Sequence, residues 1–172
     1  NTTGSFNSAV GHGALLSNVT GNNNTAFGYF ALFYNTANNN SAFGINSLRN
    51  NTTGTNNTAI GRDSLITNTI GIDNTAVGLN SMYYNTTGSY NTAVGRSALQ
   101  ENTAGIKNTA FGSYSLKNNT VGQANSAFGY DALKANTIGN FNIAIGRSAL
   151  IANTTGSYNT AVGVNSLFGN NF

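Results

Sequence analysis

The chain has 172 residues, seven Lys or Arg against four Asp or Glu, and only 6% charged side chains, far below the roughly 25% of an ordinary soluble domain. It has no cysteine, which excludes a disulfide framework and thiol chemistry. No apolar run approaches the roughly 20 residues needed to cross a bilayer; the richest stretch, Ala26 to Tyr34, is interrupted by Gly28. The seven cations are scattered along the sequence, which argues against a basic patch for nucleic acid. Proline is also absent, so every residue keeps a backbone N–H to donate to a neighbour.

One 17-residue phrase fills the chain: N-T-A-Φ-G-x-x-[AS]-L-x-x-N-T-x-G-x-x, with Φ standing for Val, Ile or Phe. Its ten copies begin at Asn7, Asn24, Asn40, Asn57, Asn74, Asn91, Asn108, Asn125, Asn142 and Asn159. A fixed period near 20 residues marks a solenoid, each copy forming one coil stacked on the next. Low charge with abundant Asn, Thr and Gly also suits a disordered chain, but apolar residues at fixed register in all ten copies oppose that reading. Residues 1–172 therefore form a single repeat array. Residues 1–6 match the end of the phrase and the last copy stops part-way, as expected of a segment of a longer array.

The first element of each coil is a short strand over positions 1 to 4, Asn-Thr-Ala-Φ. Successive strand residues point to opposite faces. Position 3 is always Ala, small enough for a narrow interior shared with Leu, once Met82, at position 9. Position 4 is then an outward stripe: Val10, Phe27, Phe43, Ile60, Val77, Val94, Phe111, Phe128, Ile145 and Val162. A continuous outward apolar stripe marks an association surface. The opposite assignment exposes only Ala and allows a monomer; thin coils rich in Gly and Ala favour association. Ordering 17 backbones costs on the order of 1–2 kcal/mol each, whereas burying Leu or Φ contributes about 1.5–3 kcal/mol each. One coil cannot stand alone.

Position 5 is Gly in every copy, from Gly11 to Gly163, requiring either a positive φ or an approach too close for a Cβ. The segment that follows, as in Ser97-Ala98-Leu99-Gln100-Glu101-Asn102, fits either a second short strand or a single helical turn. Asn at positions 1 and 12 is invariant across the copies and predicts two stacked amide ladders. Asn18, Asn51, Asn85 and Asn153 match the glycosylation acceptor, but a ladder Asn at a corner is closed to a transferase. The second Gly of the phrase, as in Gly54, Gly71 and Gly88, predicts a further corner.

All eleven charges occupy positions 6, 7, 10, 11 or 17, for example Arg62, Asp63, Arg96, Glu101, Lys107 and Lys134, which marks those slots as exposed. Aromatic residues occupy the same slots. The densest group, Tyr29, Phe30, Phe33 and Tyr34, falls in the second copy, which is one residue short and lacks its second Gly. The shortened corner near Ala37 to Asn39 predicts a broken ladder and a local recess beside these rings, a candidate ligand site. The bland alternative is that the rings pack against a neighbouring chain.

Asn-Thr-Ala-Val-Gly and Asn-Ser-Ala-Phe-Gly resemble the repeated Asn-Ser-x-Ala-Ile-Gly core of trimeric autotransporter adhesin heads. They also resemble the arrays of tail-fibre-like surface proteins. The likeness covers essentially the whole chain. It implies an all-β, left-handed parallel β-roll, three chains about a threefold axis, acting extracellularly as a rigid adhesive shaft on a cell, virion or tail-fibre surface. The period departs from it: adhesin heads repeat near 14 residues and this chain at 17.

Catalysis has little foothold. The acids are Asp63, Asp73, Glu101 and Asp131, none recurrent in the phrase, and His12 is the only histidine. The expectation is a chain with no enzymatic activity, no cofactor, no metal and no nucleic-acid or membrane-inserted partner. Three classes remain: a structural fibre or adhesin segment that associates as a homotrimer, a tip domain binding a surface glycan or protein receptor, and an ice-binding solenoid. The last is suggested by Ser or Thr at position 2 from Ser8 to Thr160, interrupted by Ile143.

Overall fold

The computed structural model of the chain describes residues 2–169. Ten three-residue strands, from β1 (Ser8–Val10) to β10 (Thr160–Val162), form one sheet in sequence order. Every pairing is parallel and in register with the phrase: Thr92 meets Thr109, Ala93 meets Ala110 and Val94 meets Phe111. Neighbouring strands lie about 4.7–4.9 Å apart, so the ten coils make a rod segment on the order of 45 Å long. The chain is an all-β parallel solenoid of 17-residue coils.

Alternation within each strand resolves the orientation of positions 3 and 4. Ala26, Ala59, Ala93 and Ala127 are fully buried, while Phe27, Ile60 and Phe128 are exposed. Leu32, Leu65, Leu99 and Leu133 complete the core, joined at position 8 by small residues such as Ala98 and Ser64. A coil this thin has room for one large apolar side chain, and small Ala or Ser side chains and amides fill the rest.

The amides form two ladders. At position 12, Asn68 donates to Asn51 Oδ1 at 2.7 Å, and Asn85 donates to Asn68 Oδ1 at 2.8 Å. At position 1, the backbone N–H of Asn74 donates to Asn57 Oδ1 at 3.0 Å, and that of Asn91 to Asn74 Oδ1 at 3.1 Å. Both ladders converge on the second-glycine carbonyl: Asn57 and Asn68 each donate to Gly71 O, at 2.8 and 3.0 Å. A carbonyl has two lone pairs, and here both are used in the interior. Any residue could supply that carbonyl; what the second glycine supplies is space. Gly71 lies outside the left-handed region, but a Cβ there would overlap Asn68 Oδ1 and the Gly88 carbonyl. The first glycine is constrained twice. Gly95 sits at φ 134° and its Cβ would strike the backbone of Gly112.

The segment after the first glycine of the phrase is neither strand nor helical turn. It is a run of turns in which positions 7 and 9 take left-handed dihedrals, as in Ser97 (φ 54°) and Leu99 (φ 50°); position 17 does so too, as in Tyr90 (φ 60°). Such a conformation costs an L-residue roughly 1–2 kcal/mol. The compensation is backbone pairing with the following coil: Leu99 N–H donates to Ser115 O at 3.0 Å and Glu101 N–H to Lys117 O at 2.9 Å. No helical residue occurs among those described.

The shortened second coil keeps the position-1 ladder whole but interrupts the position-12 ladder toward the first coil, where Asn18 Oδ1 accepts from the Gly21 N–H at 3.1 Å rather than from Asn35. Ala37 replaces the second glycine, and its carbonyl accepts from Asn24 at 2.8 Å and Asn35 at 2.9 Å. Asn40 N–H still donates to Asn24 Oδ1, and Asn51 still donates to Asn35 Oδ1. The missing residue is absorbed between Thr36 and Asn38, where the chain skips one position without leaving the stack.

Candidate functional site

The outward face of the sheet carries two columns. Position 4 is unbroken from Val10 to Val162, and its rings stack coil on coil: Phe27 on Phe43 and Phe111 on Phe128, both at 5.6 Å. Position 2 runs beside it as the Ser/Thr column, with Ile143 exposed where the column is interrupted. A second threonine column, at position 13, escaped the reading of the sequence. From Thr36 to Thr137 the hydroxyls of that column donate to the next coil's threonine carbonyl at 2.9–3.1 Å. Those hydroxyls are already tied to the rod.

The four aromatic residues of the second copy do come together. Tyr29 lies 4.1 Å from Phe30, Phe30 lies 4.8 Å from Phe33, and Phe33 lies 4.6 Å from Tyr34. Tyr29 and Tyr34 form the exposed ends of this chain of rings. Two neighbours join it that the sequence did not attach to it. His12 stacks on Tyr29 at 5.4 Å, and the Arg49 guanidinium covers Phe30 at 5.0 Å. Gly13 explains the close fit, because a Cβ there would overlap the Phe30 ring. The rings stand on the coil at which the position-12 ladder is interrupted toward the first coil.

Positions 6, 7, 10 and 11 share one side of the rod, the turn face. Six of the seven cations stand on it: Arg49, Arg62, Arg96, Lys117, Lys134 and Arg147. Dispersed in sequence, three of them meet in space. Arg96, Lys117 and Lys134, from three successive coils, lie 5.7, 5.9 and 5.6 Å from the centre of the Tyr114 ring. Toward the first coils, a shallow cleft of about 380 Å³ is lined by Arg62, Asp63, Asn80, Tyr83, Tyr84 and Gln100. Two acids on this face are in ion pairs, Asp63 with Arg62 at 3.0 Å and Asp131 with Lys134 at 3.1 Å.

The remaining chemistry is sparse. Among the described residues no three His, Cys, Asp or Glu side chains gather where they could hold a metal ion, and no helix is long and apolar enough to cross a membrane. The acceptor asparagines Asn18, Asn51, Asn85 and Asn153 are buried in the ladder, so a glycosyltransferase could not reach them in the folded coil. Compared with known proteins, the chain matches no family model, no curated protein and no solved structure.

Proposed function

We propose that this segment is a non-enzymatic structural rod that associates with copies of itself through position 4 and serves as a rigid extracellular shaft. The observation that carries the reading is the outward Val/Ile/Phe column, unbroken over ten parallel strands and stacked ring on ring. An apolar stripe of that length favours being covered over facing water on a free rod. Because position 4 recurs in register on every strand, copies would meet along the whole column in matching register. The number three, the left-handed coil and the surface location rest on the resemblance to trimeric adhesin heads and tail-fibre-like arrays.

Replacing Val94 and Phe111 together by Asp tests the contact, since it buries two charges if the stripe is covered. The double variant should lose assembly on size-exclusion chromatography with light scattering. Unchanged assembly would remove position 4 from the interface.

A second reading is supported by the aromatic group of the second coil. Rings exposed at their edges and flanked by His12 and Arg49 offer a face on which a sugar or a protein side chain can stack. In that reading Tyr29 and Tyr34 hold a surface glycan or receptor and the rod presents it. Binding of the segment to a glycan array, compared with a Tyr29→Ala plus Tyr34→Ala variant, tests this separately from assembly.

A further inference from the structure

The turn face poses a problem of charge. The chain has seven cations in 172 residues, and three of them surround the ring of Tyr114 within 6 Å of its centre. Nothing in the coil requires this. Arg96 occupies position 6 and Lys117 and Lys134 position 10, slots that elsewhere hold Tyr, Leu, Ile or Phe without disturbing the stack. The ring attracts each cation, but the three repel one another. Only Lys134 is paired, with Asp131. On either side the face continues with exposed Arg62 and Arg147, and the cleft at Tyr83 and Tyr84 adjoins it. Counting Asp63, Glu101 and Asp131, this face carries the whole net charge of +3, because Lys107 and Asp73 cancel at position 17.

We propose that the turn face of coils four to nine binds an anionic polysaccharide, one carrying carboxylates at intervals of one or two sugars. The rise of one coil, about 4.8 Å, is close to the length of one pyranose along an extended glycan. Such a chain laid parallel to the rod meets a new coil with each sugar. The exposed Tyr84 and Tyr130 offer ring faces for the sugars, while Arg96 and Lys117, the two unpaired cations at the Tyr114 ring, stand where carboxylates would relieve their mutual repulsion. The coil rise matches one pyranose and is shorter than the phosphate repeat of an extended nucleic acid strand, which favours the polysaccharide. This site is separate from the position-4 column and from the aromatic group of the second coil, so it stands or falls apart from both readings above.

The test uses the whole segment in its native assembly, with an oligogalacturonate of about ten sugars and its neutral methyl ester as probes in calorimetry. Binding of the acid should be at least tenfold tighter than that of the ester and should weaken as salt is raised. Arg96→Gln plus Lys117→Gln should weaken it by about tenfold or more, and Glu101→Gln should strengthen it, with circular dichroism and assembly unchanged. Should the charge-removing pair perturb folding, Glu101→Gln alone still reads the sign. Equal binding of acid and ester, no binding of either, an unaltered affinity in both variants, or tighter binding of single-stranded DNA than of the oligogalacturonate would each overturn the proposal.

Discussion

The Asn68 side chain donates to Asn51 Oδ1 at 2.7 Å and receives a bond from Asn85 at 2.8 Å, so one amide links three successive coils without exposure to water. In a solenoid this matters more than in a globule, because stability is the sum of contacts between neighbouring coils. The interior of this rod is held by amides as much as by Leu and Ala.

Asn68→Ala should therefore be severe. It leaves Asn51 Oδ1 and one donor of Asn85 without their partner, at roughly 1–3 kcal/mol for each unsatisfied buried group. The expected loss is about 3–5 kcal/mol in urea denaturation, and Asn68→Asp should cost at least as much, since it places a charge in the same space. A loss below about 1 kcal/mol would show that water or rearrangement replaces the ladder.

The two glycines of the phrase should respond differently to alanine. Both Gly95→Ala and Gly105→Ala push a Cβ into the next coil, against Gly112 and against Gly122 with Asn102. Only Gly95 adds a positive φ, 134°, where a side chain costs a further 1–3 kcal/mol or so. Gly95→Ala should therefore be the more destabilising by about that amount. Equal urea midpoints for the two variants would mean that space alone is limiting.

Leu99 provides a contrast that separates packing from backbone strain. Leu99→Ala should cost about 2–5 kcal/mol for the lost core. Glycine loses the same contacts but accepts φ 50° without penalty, whereas alanine does not. Leu99→Gly should then be no worse than Leu99→Ala, the reverse of the usual order inside regular structure. If glycine proves worse by about 1 kcal/mol, the left-handed conformation at position 9 carries no cost.

The strands, the inward Ala, the outward Φ, the ladders and the first glycine were legible because each follows from a short-range rule. Alternation places Ala93 inside and Val94 outside, and a recurring Asn has only a neighbouring Asn to meet. The turn segment was not legible. Asn46, Asp63, Asn80 and Asp131 at position 7, and Asn23, Asn39, Asn56 and Asp73 at position 17, are residue types that favour left-handed backbone. That signal could have been used. Leu at position 9 gives none, because burial and not propensity sets its dihedrals. Nor could the convergence on Tyr114 be read, since it needs the knowledge that positions 6, 7 and 10 of adjacent coils share a side.

The aromatic group of the second coil separates structure from recognition. Tyr29→Ala plus Tyr34→Ala removes the exposed ends of the ring chain and leaves Phe30 and Phe33 against the coil. Glycan or receptor binding should weaken while assembly and thermal midpoint persist. A variant that falls apart, or that binds as before, would make the rings a packing device.

Sedimentation equilibrium of the unmodified segment tests the central claim most directly. Association along position 4 predicts a species heavier than the 17.8 kDa chain, near three times that mass, persisting at micromolar concentration. A soluble, stable species at 17.8 kDa over the same range would contradict it, and the Val/Ile/Phe column would then be a free face of a monomeric rod.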